Sequence, residues 1–166
     1  MSVGLIMATI VKAPNAVPYH ERNTKSIFLA GSIDMGNAVD WQTRASEMLA
    51  PYDVVVLNPR RDDWDSGWVQ DISNPQFNEQ VTWELEHLES CDLIVMYFDP
   101  AGAAPISLLE LGLFGIPENE RIVVCCPEGY WRRGNVQMVC DRYNIQLLDD
   151  IDELLAYMDR WCMDNA

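Results

Sequence analysis

Basic side chains are scarce: 11 Lys and Arg stand against 26 Asp and Glu, for a formal net charge of −15 over 166 residues. Nucleic-acid binding rests on neutralising phosphates with Lys and Arg, so a field of this sign repels DNA and RNA, and no nucleic-acid partner is expected. The acids are spread along the chain and cluster late (Asp149, Asp150, Asp152, Glu153, Asp159, Asp164), a pattern that reads as solubility or adaptation to high salt. The pairs Arg60-Arg61 and Arg132-Arg133 leave a small anionic ligand open. Histidine is limited to His20 and His87, too few for a ligand cluster. The five cysteines are odd in number and lack C-x-x-C spacing, which argues against a disulfide framework and a zinc site. We expect neither a metal nor a cofactor.

No apolar run reaches the roughly 18–20 residues of a membrane span, so no membrane partner is expected. Lys12 follows the apolar Val3–Val11 stretch instead of preceding it, and Pro14 and Pro18 come next, which is a poor signal peptide. A cytoplasmic location follows as the expectation. Gly31-Ser32-Ile33 lacks the full G-x-G-x-x-G pattern, so a dinucleotide fingerprint is unsupported; the turn is a candidate nest for a hydroxyl or phosphate, or an ordinary strand-to-helix turn.

What is present is an alternation of apolar strands and amphipathic helices, 49% apolar in total. Strands are expected over 25–31, 53–57, 92–98, 121–126 and 144–148. Helices are expected over 39–49, from the Asn74-Pro75 start to about Ser90, from Pro105 to about Gly115, and over 131–140 and 149–162. Asn74 before Pro75 is an N-cap followed by proline at the first helical position. This alternation predicts an α/β three-layer sandwich with a five-stranded parallel sheet, flavodoxin-like or Rossmann-like. Residues 1–24 read as an N-terminal arm, with Ala13–Asn23 poor in regular structure, and 25–166 as one domain. Ligands in such sheets sit beyond the carboxyl ends of the strands. That rule gathers Gly31, Ser32 and Ile33, the Asn58–Trp68 loop with Arg60 and Trp64, and the Asp99–Glu110 segment into one neighbourhood.

Two glutamates occupy places that packing would give to leucine. Phe77, Val81, Leu85 and Leu88 form one stripe at about 100° per residue, and Glu84 falls between them. A stripe-edge residue reaching water, or an ion-pair partner, would explain it without function. Glu110 is wrapped in Ser107-Leu108-Leu109-Glu110-Leu111-Gly112-Leu113-Phe114. Ser107 to Glu110 also fits the S-x-x-E capping box, which would spend the glutamate on a helix end. A place near a helix N-terminus would favour its ionised form, useful for a nucleophile. Gly112 would allow close backbone packing or ligand approach. Trp64 and Trp68, on a long polar loop, are candidates for a stacking wall, a lid or a subunit contact.

Phe28-Leu29-Ala30-Gly31-Ser32-Ile33, Asn58-Pro59-Arg60-Arg61, Trp83-Glu84-Leu85 leading to Cys91-Asp92, Leu109-Glu110-Leu111-Gly112 and Gly134-Asn135-Val136 occur in this order over roughly 25–145. The ordered set resembles the nucleoside 2-deoxyribosyltransferase-like family. The resemblance implies a flavodoxin-like fold, no cofactor, and a site built between subunits of a homo-oligomer. It implies that Glu110 is the nucleophile, that Glu84 holds the nucleobase and assists its departure, and that Asn135 is lent to a neighbour's sugar site. This sequence departs from the better-known transferases in carrying Ala104 six residues before the nucleophile, where they have an aspartate; Asp99 is the nearest acid. The expected chemistry is cleavage of an N-glycosidic bond through a covalent glycosyl-glutamate, followed by transfer to another base. Two alternatives remain open. One is a nucleoside 5′-monophosphate N-glycosidase using Ser32, Ser107, Arg60 and Arg61 as phosphate contacts; the other is a nucleotide-binding module without turnover.

Overall fold

The computed structural model describes residues 7–33, 39–117 and 120–165; the first six residues of the expected arm lie outside them. The elements run β1 (Thr9–Lys12), β2 (Ser26–Gly31), α1 (Trp41–Leu49), β3 (Val55–Asn58), α2 (Pro75–Ser90), β4 (Leu93–Tyr97), α3 (Pro105–Phe114), β5 (Ile122–Cys125), α4 (Arg133–Tyr143), β6 (Gln146–Leu148) and α5 (Ile151–Asn165), with a 3₁₀ turn at Tyr19–Glu21. All strands are parallel, in the order β1-β3-β2-β4-β5-β6. The α/β reading and its five strands stand, but the sheet has six. The addition comes from the arm: Thr9–Lys12 pairs with Val55–Asn58. Four residues at an edge, followed by Pro14, carry too little pattern to announce a strand. Only the neighbouring β3 edge gives their N–H and C=O groups partners.

Strand side chains alternate between two cores. Phe28 and Ala30 of β2, Ile94 and Met96 of β4, and Val55 and Leu57 of β3 join Trp83, Leu88, Leu111, Phe114, Val136 and Cys140 on the face covered by α2, α3 and α4. Ile27, Leu29, Val56, Leu93 and Val95 join Trp41, Ala45, Leu49, Leu154 and Met158 on the face covered by α1 and α5. Burial on both sides is why these strands read as unbroken apolar runs. No helix of the described residues is long and apolar enough to cross a membrane.

Successive connections leave β2 and β3 for opposite faces, so the order reverses between β2 and β4. In sheets of this kind ligands bind beyond the carboxyl ends of such a pair. Gly31 lies opposite Tyr97 there. Its φ of +124° and the 2.1 Å that would separate an added Cβ from the Tyr97 carbonyl oxygen leave room for glycine alone.

Candidate active site

Ser32 and Asp99 lie just past the carboxyl ends of β2 and β4. Ser32 is wholly buried; its N–H donates to the Tyr97 carbonyl at 2.8 Å, and its Oγ accepts from the Asp99 N–H at 2.9 Å. The Asp99 carboxylate accepts from the N–H groups of Ala101 (2.9 Å) and Val39 (3.3 Å). Both side chains thus fasten the turns that follow β2 and β4. Ile33 sits half-buried beside them.

The α3 helix begins at Pro105, with Ala104 as its N-cap in the left-handed region at φ 43°. Ser107 is therefore a buried residue inside the helix, and the capping-box reading is overturned. Glu110 lies more than a turn in, 8% exposed among Leu111, Phe114 and Ser107, and makes no hydrogen bond among the described residues. Its expected ionisation is reversed as well. Burial, and then the nearby charge of Glu84, push its pKa up to about 8. A helix terminus stabilises charge only within its first turn, and this carboxyl is beyond it.

Glu84 is the second member of the pair. Burial raises its pKa to about 7, opposed by a hydrogen bond from Gln80. Among the described residues it has no cationic partner, so the ion-pair reading fails. The buried face of α2 is also rotated from the expected stripe: Gln80, Trp83 and Leu88 are buried, whereas Leu85 is 37% exposed. Gln80 was missed by the sequence reading, although its place four residues before Glu84 is the spacing at which helical side chains meet. Its Nε2 donates to the Pro59 carbonyl and to Oε1 of Glu84, each at 2.9 Å. The end of β3 is thereby tied to the carboxyl. Both carboxyls are raised above the ordinary glutamate value, Glu110 further than Glu84, and the charge of Glu84 is part of the cause at Glu110.

The loop after β3 folds on itself. Arg61, its side chain 7% exposed, pairs with Asp63 (2.6 Å) and Glu79 (3.0 Å), and its guanidinium carbon lies 5.0 Å from the centre of the Trp68 ring. Trp64 meets Trp68 edge to face at 5.1 Å. The Arg60 N–H donates to Asn58 Oδ1 at 2.9 Å, and its Nε is 3.9 Å from Asp40. Trp41 Nε1, Gln42 Oε1, Trp64 Nε1 and Gln80 Oε1 are buried without hydrogen-bond partners among the described residues. All four belong to segments that follow β2 and β3 at their carboxyl ends.

Asn135 is apart from this group, exposed on the first turn of α4. Gly112 is not needed for close packing inside the chain, because an added Cβ there would meet nothing within 4 Å. Two cavities open at the opposite, amino ends of the strands, one by Lys25, Val54 and Trp161 and one by Ile122, Gln146 and Tyr157. Neither touches either carboxyl. On and just past α3, Ile106, Leu109, Leu113 and Ile116 are 58%, 59%, 50% and 52% exposed.

Comparison with known families matches residues 24–130 to the one described as nucleoside 2-deoxyribosyltransferase like. The match spans β2 to the Tyr130 turn, and so both glutamates. No curated protein matches the chain.

Proposed function

The chain belongs to the nucleoside 2-deoxyribosyltransferase-like family, and from that premise we propose that it cleaves the N-glycosidic bond of a deoxynucleoside and transfers the 2-deoxyribosyl group to another nucleobase. The observation that carries this reading is the pair Glu84 and Glu110, a half-buried and a buried carboxyl, both raised above the ordinary glutamate value by desolvation. The higher pKa of Glu110 puts a single proton mostly there, so the reactive form is the minor one, in which Glu84 holds the proton and the Glu110 carboxylate attacks the anomeric carbon. The C–N bonding electrons leave with the base, and Glu84 supplies the base with its proton. A covalent glycosyl-Glu110 results, and a second base reverses the step with net retention. Water in place of that base would make the reaction a hydrolysis. The low-dielectric setting that raises both pKa values also favours a carboxylate that meets a cationic sugar over one left without a partner.

A nucleoside suits this site better than its 5′-monophosphate. Arg61 is already committed to Asp63, Glu79 and Trp68, and Ser32, wholly buried, has its Oγ held by the Asp99 N–H. Gly31, Ile33, Arg60, Trp64, Asp99 and Ser107 are proposed to shape the substrate cleft, Trp64 as a stacking wall. A second copy of the chain completes it. The bare apolar face of α3, with open space at Gly112, would be covered by a partner whose exposed Asn135 reaches the sugar.

Incubation with a 2′-fluorinated deoxynucleoside, followed by mass spectrometry, tests the reading. A sugar adduct is expected on Glu110, and Glu110→Gln is expected to form none while remaining folded. A Glu110→Ala protein with normal turnover would remove the assignment, and ligand binding with no turnover by the wild type would favour the module without catalysis.

A further inference from the structure

We propose that Gln80 is the positioning residue of this acid pair, tying one oxygen of Glu84 to the end of β3 so that the other oxygen alone carries the proton to the departing base. The inference rests on the glycosyl-transfer reading and adds to it a residue that does not touch the sugar.

The geometry fixes the orientation of the amide. Pro59 offers only a carbonyl at this point, and that carbonyl lies 2.9 Å from one end of the Gln80 amide; the end facing it must be the nitrogen. The second N–H of the same nitrogen then reaches Oε1 of Glu84, also at 2.9 Å. An oxygen that accepts an N–H in this way is not the one that bears the acidic proton, so neutral Glu84 is protonated at Oε2. Gln80 itself is 4% exposed, and its Oε1 is buried with no partner among the described residues. An unmet buried acceptor carries a desolvation cost. A glutamine held only for packing would not need to carry that cost, since an apolar side chain of the same shape would avoid it. The charged group facing the carboxyl from the neighbouring element is Glu110 on α3; within α2 it is Gln80 that acts on it.

The step balances without a co-reactant. The Oε2–H bond of Glu84 breaks as the base gains that proton. The C–N pair goes to the base, and Glu110 supplies the pair for the new C–O bond. A base that leaves without needing a proton is indifferent to the arrangement.

The test compares 2′-deoxyguanosine with 7-methyl-2′-deoxyguanosine, whose base departs neutral without being protonated. Wild type, Gln80→Met and Gln80→Glu are compared, with circular dichroism as the check on folding. For Gln80→Met we expect a loss of about 10²-fold in kcat/KM on deoxyguanosine and less than about threefold on the methylated compound. The alkaline limb of its pH–rate profile should move to higher pH, because the donor that favours ionised Glu84 is gone. Gln80→Glu keeps the shape but, even protonated, offers one O–H in place of the two N–H groups that reach Pro59 and Glu84, so it should show the same selective loss on deoxyguanosine; it carries the test if Gln80→Met does not fold. Equal losses on both substrates with an unmoved pH limb would reduce Gln80 to a structural support and overturn the inference while leaving the transfer reading in place. A wild type that cleaves neither compound would overturn both.

Discussion

Replacing Glu110 by glutamine should stabilise the protein at alkaline pH and do little in acid. The side chain has an ordinary pKa of 4.5 and a folded value of about 8. Below pH 4.5 it is neutral in both states and contributes no difference. Between 4.5 and 8 the unfolded chain releases the proton while the native state keeps it, so wild-type stability falls with rising pH. Above 8 the penalty is complete. At about 1.4 kcal/mol per pKa unit the full penalty is on the order of 4–5 kcal/mol, and relaxation with water entry reduces it to roughly 2–4 kcal/mol. For a domain of this size that is about 5–15 °C in Tm. The new amide leaves a buried polar group to be satisfied, costing about 1 kcal/mol, but that cost does not vary with pH. Thermal unfolding of wild type and Glu110→Gln at pH 5 and pH 9 separates the two effects. The gain at pH 9 minus the gain at pH 5 should be positive and several degrees. An equal Tm difference at both pH values would refute the burial argument.

The same pair predicts a bell-shaped dependence of kcat/KM on pH, with its maximum between about 7 and 8; doubly protonated, the site lacks a nucleophile, and doubly ionised it lacks an acid. A rate unchanged from pH 5 to 10 would contradict it. Gly31→Ala places a Cβ against the Tyr97 carbonyl at a positive φ and should cost about 3 kcal/mol or more in urea unfolding. An unchanged midpoint would mean the contact between Gly31 and Tyr97 is not as described. Leu109→Lys puts a charge on the bare face of α3 and should lower the oligomeric state by analytical ultracentrifugation, together with the transfer rate. An unaffected assembly would place the subunit contact elsewhere.

The fold was largely legible because its strands are buried on both faces. Ile27–Ala30, Val54–Leu57 and Leu93–Met96 leave no polar residue to confuse the pattern. The edge strand at Thr9–Lys12 was not legible, since its pairing depends on β3 and not on its own composition. In the site, an acidic residue among leucines was a local signal and exposed Glu110 as unusual. Its protonation was not a local matter. The helix start at Pro105 was legible from the proline; it leaves Ser107 inside the helix, so the cap reading failed and Glu110 lies more than a turn from the terminus.

The residue order by itself determined the element types, the parallel sheet and the two glutamates, because periodicity and composition act within a few residues along the chain. The tertiary structure alone decided that desolvation raises both carboxyls, that Gln80 links one of them to Pro59, and that Arg61 is consumed by its neighbours. Those facts depend on burial and on distances between segments far apart in sequence, and no local pattern encodes either.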